Sequence, residues 1–131
     1  MSDKDKKSMW NFIIIILVII SIFFFVLLLL KYSDSKEKYN NIHEAVKARD
    51  MQAVKGLIKK KHELVNSRDE HFYTPLHWAV FSGKKDMAKF LLDSGADINA
   101  KDMNGVTPLN IATSASEKEM VEFLHRHGAK E

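Results

Sequence analysis

The tripeptide Thr74-Pro75-Leu76 returns as Thr107-Pro108-Leu109, and this interval of 33 residues constrains most of the chain beyond residue 40. At the same spacing Ala79 returns as Ala112, Phe90-Leu91 as Phe123-Leu124, and Gly95-Ala96 as Gly128-Ala129. Self-similarity at such a period means stacked copies of one supersecondary unit. Each Thr suits an N-cap, its hydroxyl accepting from an orphan helix amide, and each Pro suits the first helical position. Met87, Phe90, Leu91 and Met120, Phe123, Leu124 form i, i+3, i+4 stripes on a second helix. Gly83 suits the reversal between paired helices; Gly95 and Gly128 suit left-handed caps at second-helix ends. A helix pair this small cannot bury its own stripe, so it must lean on copies of itself.

Residues 69–101 form one full period and 102–131 the next, ending short. The core Thr74-Pro75-Leu76-His77-Trp78-Ala79 and the ending Gly95-Ala96-Asp97-Ile98-Asn99-Ala100 strongly resemble the ankyrin repeat, as does the period itself. A divergent first copy spans 41–68. Ile42-His43-Glu44-Ala45 aligns with Leu76-His77-Trp78-Ala79 at a spacing of 34, whereas Val65-Asn66 aligns with Ile98-Asn99 at 33. Leu57-Ile58 keeps the spacing of 34 against Leu91-Leu92, so one extra residue must lie within Lys59 to Leu64. Asn41 with Glu44 supplies the capping pair of this copy. The resemblance implies an all-α fold: an ankyrin-repeat solenoid of helix-turn-helix units with short hairpin loops over 41–131.

Three positions depart from the pattern. Phe72 stands where Gly105 supplies the turn glycine, so that hairpin tip is expected to bend differently and expose an aromatic ring. Ser116 replaces Gly83. Asn110 replaces His77, acceptable in a terminal repeat with no following neighbour to bond. The last second helix is polar at Glu117, Lys118, Glu119, Glu122, His125, Arg126 and His127, as a capping repeat requires.

Ahead of the repeats, Phe12 to Leu30 holds 18 apolar residues out of 19, interrupted only by Ser21. As a helix this run is about 28 Å long, close to the ~30 Å hydrocarbon thickness of a bilayer. In lipid only a helix satisfies its backbone amides locally, which overrides the modest helix preference of Ile and Val. Trp10 and Tyr32 stand where aromatic belts form, and Lys4, Lys6, Lys7 and Lys31 can reach headgroups. These features predict a transmembrane helix over 10–32, a basic tail over 1–9 and a linker over 33–40 that keeps the repeats near the bilayer. A buried core helix and a signal peptide cleaved near Ser33-Asp34-Ser35 compete with this reading; the run is long for the second. The apolar run from Phe12 to Leu30 has no ionisable residue and no small-xxx-small pattern, which argues against an ion path or close helix dimerisation. Lysines flank it almost equally, and a short basic tail favours repeats on the non-cytoplasmic side.

The formal charge of +3 divides into +2 over residues 1–40 and +1 over 41–131, too balanced for nucleic-acid binding. With no cysteine, disulfides, thiolate metal sites and a cysteine nucleophile are excluded. Among six histidines, the resemblance gives His43 and His77 a structural role bridging adjacent turns. His125 and His127 are two apart, on different helix faces, and no metal site is expected. His71 reads as a hairpin-tip contact. No Ser/His/Asp pattern or phosphate-cradling loop announces catalysis, a cofactor or a small-molecule substrate.

The family works as a recognition surface, and the resemblance places its concave face on hairpin tips and first helices. Transferred to this chain, the protein-binding positions are Glu70, His71, Tyr73, Phe81 and Ser82, then Met103, Asn104, Val106, Ser114 and Ala115, with Lys47 and Ala48 in the first copy. Tyr73, Phe81 and Met103 are the expected anchors, and Trp78 falls at a packed, core position. Lys59-Lys60-Lys61 reads as a solvated turn, with adhesion to anionic headgroups as the alternative. The expected function is non-covalent binding of a protein partner near the membrane, as adaptor, scaffold or inhibitor. The alternative is a small structural subunit of a membrane complex, held through its helix, with Phe23-Phe24-Phe25 as packing surface.

Overall fold

The structure, a computed structural model, describes residues 2–33 and 38–130; among these, regular structure is helical throughout, with no strand. The chain forms two compact units, Met1–Lys38 and Tyr39–Glu131. Part of the expected linker, residues 34–37, lies outside the described residues, and so does most of the Ser33-Asp34-Ser35 cleavage alternative.

The first unit is one helix, α1 (Asp3–Ser33). It begins well before the apolar run because Ser2 and Asp5 cap it: the Ser2 amide and hydroxyl both donate to Asp5 Oδ2, at 3.0 and 2.7 Å. Asp3 and Asp5 also suit the positive end of the helix dipole. The basic tail residues Lys4, Lys6 and Lys7 are thus helical. From Trp10 through Leu29 every large apolar side chain is exposed, on all sides of the helix.

The second unit runs α2 (Ile42–Lys47), α3 (Met51–Lys60), a 3-10 turn (His62–Asn66), α4 (Pro75–Phe81), α5 (Lys85–Asp93), α6 (Pro108–Ser114) and α7 (Lys118–Arg126). The helices pair as α2–α3, α4–α5 and α6–α7, and α4 packs between α2 and α6. Ile42, Val46, Val54, Leu76, Met87, Leu91, Leu109, Met120 and Leu124 join one continuous buried core. The i, i+3, i+4 stripes have found their neighbours, and each buried Leu contributes roughly 1.5–3 kcal/mol. The extra residue of the first copy is absorbed by a longer helix: α3 has 10 residues where α5 and α7 have 9. The 3-10 turn then takes the place of the glycine cap used by Gly95 and Gly128, whose φ values are 89° and 92°.

The inter-helix reversals share one conformation. Arg49, Gly83 and Ser116 occupy equivalent positions with φ of 60°, 64° and 57°. Phe72 corrects an expectation. With φ of 63° against 78° at Gly105, its hairpin tip bends like the next one, not differently. In both, the aspartate opening the turn holds it: Asp69 Oδ1 accepts from the His71 and Tyr73 amides at 3.0 and 2.9 Å, and Asp102 Oδ1 from those of Asn104 and Val106, both at 2.8 Å. The aspartate bonds override the steric objection of a Cβ in the left-handed region. The Phe72 ring is 50% exposed, as anticipated.

Candidate protein-binding face

His77 is fully buried, and its tautomer follows from its partners. Nδ1 accepts from the Thr74 amide at 3.1 Å and lies 2.8 Å from the Thr74 hydroxyl, so that nitrogen carries no proton. Nε2 therefore donates to the Val106 carbonyl, 3.1 Å away in the next repeat. Burial, opposed by that carbonyl and by Asp102, holds the imidazole below its ordinary pKa. Asn110 reproduces the capping half: its Oδ1 accepts from the Thr107 amide and hydroxyl, both at 2.9 Å. His43 differs from the bridging expectation. Its Nε2 meets the Ser67 carbonyl at 3.1 Å, within its own copy, and Asn41 rather than residue 40 caps α2.

The stack is stitched at the repeat interval. Asn66 donates to the Gly95 carbonyl at 2.9 Å and accepts from the Asp97 amide at 2.8 Å; Asn99, 33 residues on, accepts from the Lys130 amide at 2.9 Å. Arg68 donates to the Lys101 carbonyl at 2.8 Å, and the Met103 amide to the His71 carbonyl at 3.3 Å. These bonds tie copy ends and hairpin tips to those of the next copy.

The candidate positions separate into groups. Glu70, His71, Met103 and Asn104 are exposed on neighbouring tips, with His71 Nε2 3.7 Å from the Glu70 carboxylate. Ser82 and Ala115 are the C-caps of α4 and α6, Ser114 ends α6, and Ala48 is the C-cap of α2. Val106 is half-buried, occupied by its bonds to Asp102 and His77. Tyr73 and Phe81 meet through a residue assigned elsewhere by sequence. Trp78 is not sealed in the core: it is half-buried, its ring 5.2 Å from Tyr73 and 5.8 Å from Phe81, edge-on at 82°. Lys47, reaching across from α2, sets its ammonium 3.9 Å from the indole centroid. Asp69 accepts the indole N–H at 2.8 Å. Burial works against the Asp69 carboxylate, but its bonds to Trp78, Tyr73 and His71 outweigh it and hold the pKa below the usual value. Trp78 and Phe81 are three apart on one helix, and that spacing was the available signal for this aromatic cluster.

The remaining histidines are engaged structurally or solvated. His127 Nδ1 bonds the Phe123 carbonyl at 2.8 Å, and its ring lies against Phe123. Among the described residues no three His, Cys, Asp or Glu side chains are placed to hold a metal ion.

Comparison with known proteins bears on the repeats. The sequence profile for ankyrin repeats (three copies) matches residues 22–102 and 43–131. The chain belongs to the ankyrin-repeat family. It is 45% identical over 49 residues to a palmitoyltransferase akr1 of Aspergillus oryzae, covering 37% of this chain and 7% of that protein. To human ankyrin repeat domain-containing protein 49 it is 47% identical over 45 residues, 34% of this chain and 19% of the relative. To human protein phosphatase 1 regulatory subunit 27 it is 41% identical over 56 residues, 43% and 36% respectively. The chain thus spans little more than a third of these relatives' length at most. Ankyrin repeats imply protein–protein binding.

Proposed function

We propose that this ankyrin-repeat protein is held in a membrane by α1 and docks a protein partner through the face built on Lys47, Tyr73, Trp78, Phe81 and Met103, as an adaptor, scaffold or inhibitor. The observation carrying the docking half is the aromatic cluster. Phe81 is 65% and Met103 61% exposed in a unit whose other large apolar side chains, Phe72 apart, are covered at least in part. Rigid aromatics with a polar rim make binding anchors. For the anchoring half, Trp10 to Leu29 would leave an apolar cylinder in water with nothing to cover it, whereas lipid covers every side at once. That cylinder is greasy all round, which suits lipid better than a single packing face, and this favours the adaptor over a subunit held by Phe23-Phe24-Phe25.

A photoreactive residue at Phe81 in the full chain, within native membranes, tests both halves. A specific partner is expected to crosslink, and Tyr73→Ala or Trp78→Ala should cut its yield about tenfold. Exchanging residues 10–32 for an unrelated apolar span should leave the yield intact; loss of the partner on that exchange would instead make the chain a subunit recognised through its helix. Protease protection of residues 39–131 in sealed vesicles reads the side of the membrane directly.

A further inference from the structure

Charge is distributed unevenly over the three repeats. Residues 41–68 carry seven Lys or Arg against three Asp or Glu, residues 69–101 four against five, and residues 102–131 three against five. Much of the excess lies on one face. α3 buries Val54 and Ile58 and turns Gln52, Lys55, Lys59 and Lys60 to solvent, and exposed Lys61 follows as its C-cap. Between residues 51 and 62 no acidic residue occurs. The matching faces of the later repeats are balanced from within: on α5 Lys89 meets Asp93 at 2.7 Å, and on α7 Arg126 meets Glu122 at 3.1 Å. On α3 the i, i+4 partner of Lys55 is Lys59, a like charge. Position at the helix C-terminus offsets only part of that repulsion, through the dipole.

We propose that the outer face of α3, with Lys61, is a contact surface for anionic phospholipid headgroups. The inference rests on α1 being a membrane anchor. A chain so anchored keeps headgroups at high effective concentration around its own first repeat, which comes directly after α1 in sequence. Lysines on flexible stems suit a mobile layer of phosphate and carboxylate groups, which demands no fixed bidentate geometry. Where anionic lipid is concentrated in the cytoplasmic leaflet, this contact places the repeats on the cytoplasmic side, against the bias of the short basic tail.

The chain has no cysteine, so one can be introduced as a unique label site. The full chain carrying Gln52→Cys, or Lys118→Cys on α7 as control, is labelled with a fluorophore and assembled into nanodiscs of phosphatidylcholine alone or with 30% phosphatidylserine, roughly a cytoplasmic-leaflet charge. A headgroup spin-labelled lipid is the quencher. Quenching at residue 52 is expected to be at least threefold stronger in the anionic discs, with no change at residue 118. The Lys55→Gln, Lys59→Gln, Lys61→Gln triple variant, verified as folded by its thermal transition, should return residue 52 to the neutral-disc value, as should about 1 M salt, where screening acts within ~3 Å. Equal quenching in both discs by a chain that has entered both overturns the proposal and leaves the anchor standing; a face built for an acidic protein gives that result. A chain that enters neither disc overturns the anchor, and this inference with it.

Discussion

At the scale of single residues, substitutions that leave the pattern intact reveal which atoms matter. His77 both caps α4 and bonds the next repeat, whereas Asn110 only caps. His77→Asn should therefore keep the cap and remove one of the two bonds to the Val106 carbonyl, which still accepts from the Asp102 amide at 3.0 Å, costing about 0.5–1.5 kcal/mol in urea unfolding. pH acts through the same ring. Its pKa is lowered on folding, so below the ordinary 6.5 the unfolded chain takes up the proton first. Stability from this group is complete above 6.5 and falls as pH drops from there toward the folded value; His77→Asn should flatten that part of the profile. Asp69 behaves with the same sign in a lower window. Its contribution is present above the ordinary 3.8 and is lost as acid drives through its lower folded pKa, measured as release of Trp78 fluorescence from its folded value. Phe72, at φ 63°, carries a strain that glycine would not. Phe72→Gly should raise stability by about 1 kcal/mol in the same denaturation assay, while removing an exposed ring.

At the scale of elements, the repeats hold one another through paired uses of one residue. Asn66 and Asn99 each tie the end of their own copy to the end of the next. Asn66→Ala removes a donor and an acceptor bond at once and should cost about 1–2 kcal/mol; Asn99→Ala, losing a single amide bond to Lys130, should cost less. Amide exchange of Asp97 and Lys130 distinguishes the two lesions locally. The spacing of these asparagines was legible in the chain, as was the extra residue near Lys61. What replaced the missing glycine cap was not: only the folded geometry shows a 3-10 turn there, because the Lys61 backbone is extended.

For the whole molecule, the decisive property is that the repeat core is continuous. Leu91 contacts no water and is shared by packing along the stack, so Leu91→Ala should cost about 2–5 kcal/mol and lower the stability of all three repeats together. A single far-ultraviolet transition, shifted as one, is the expected readout; separate melting of the first and last repeats would show that the stack is less coupled than its core implies. α1 obeys a different physics. From Trp10 to Leu29 its large apolar side chains are exposed, and its helix is expected to persist in detergent micelles after urea has unfolded residues 39–131.

The chain by itself determined the 33-residue architecture, the identity of the caps and the presence of a helix greasy enough for lipid, because each depends on local spacing and on residue chemistry that survives in one dimension. Trp78 shows where that reach stops. Its register in the signature suggested burial, yet whether an indole is covered depends on what the adjacent copy brings over it. Only the stacked structure supplied that answer: Lys47 above the ring, Asp69 on its N–H, and Tyr73 and Phe81 beside it, three elements meeting at a point no sequence interval records.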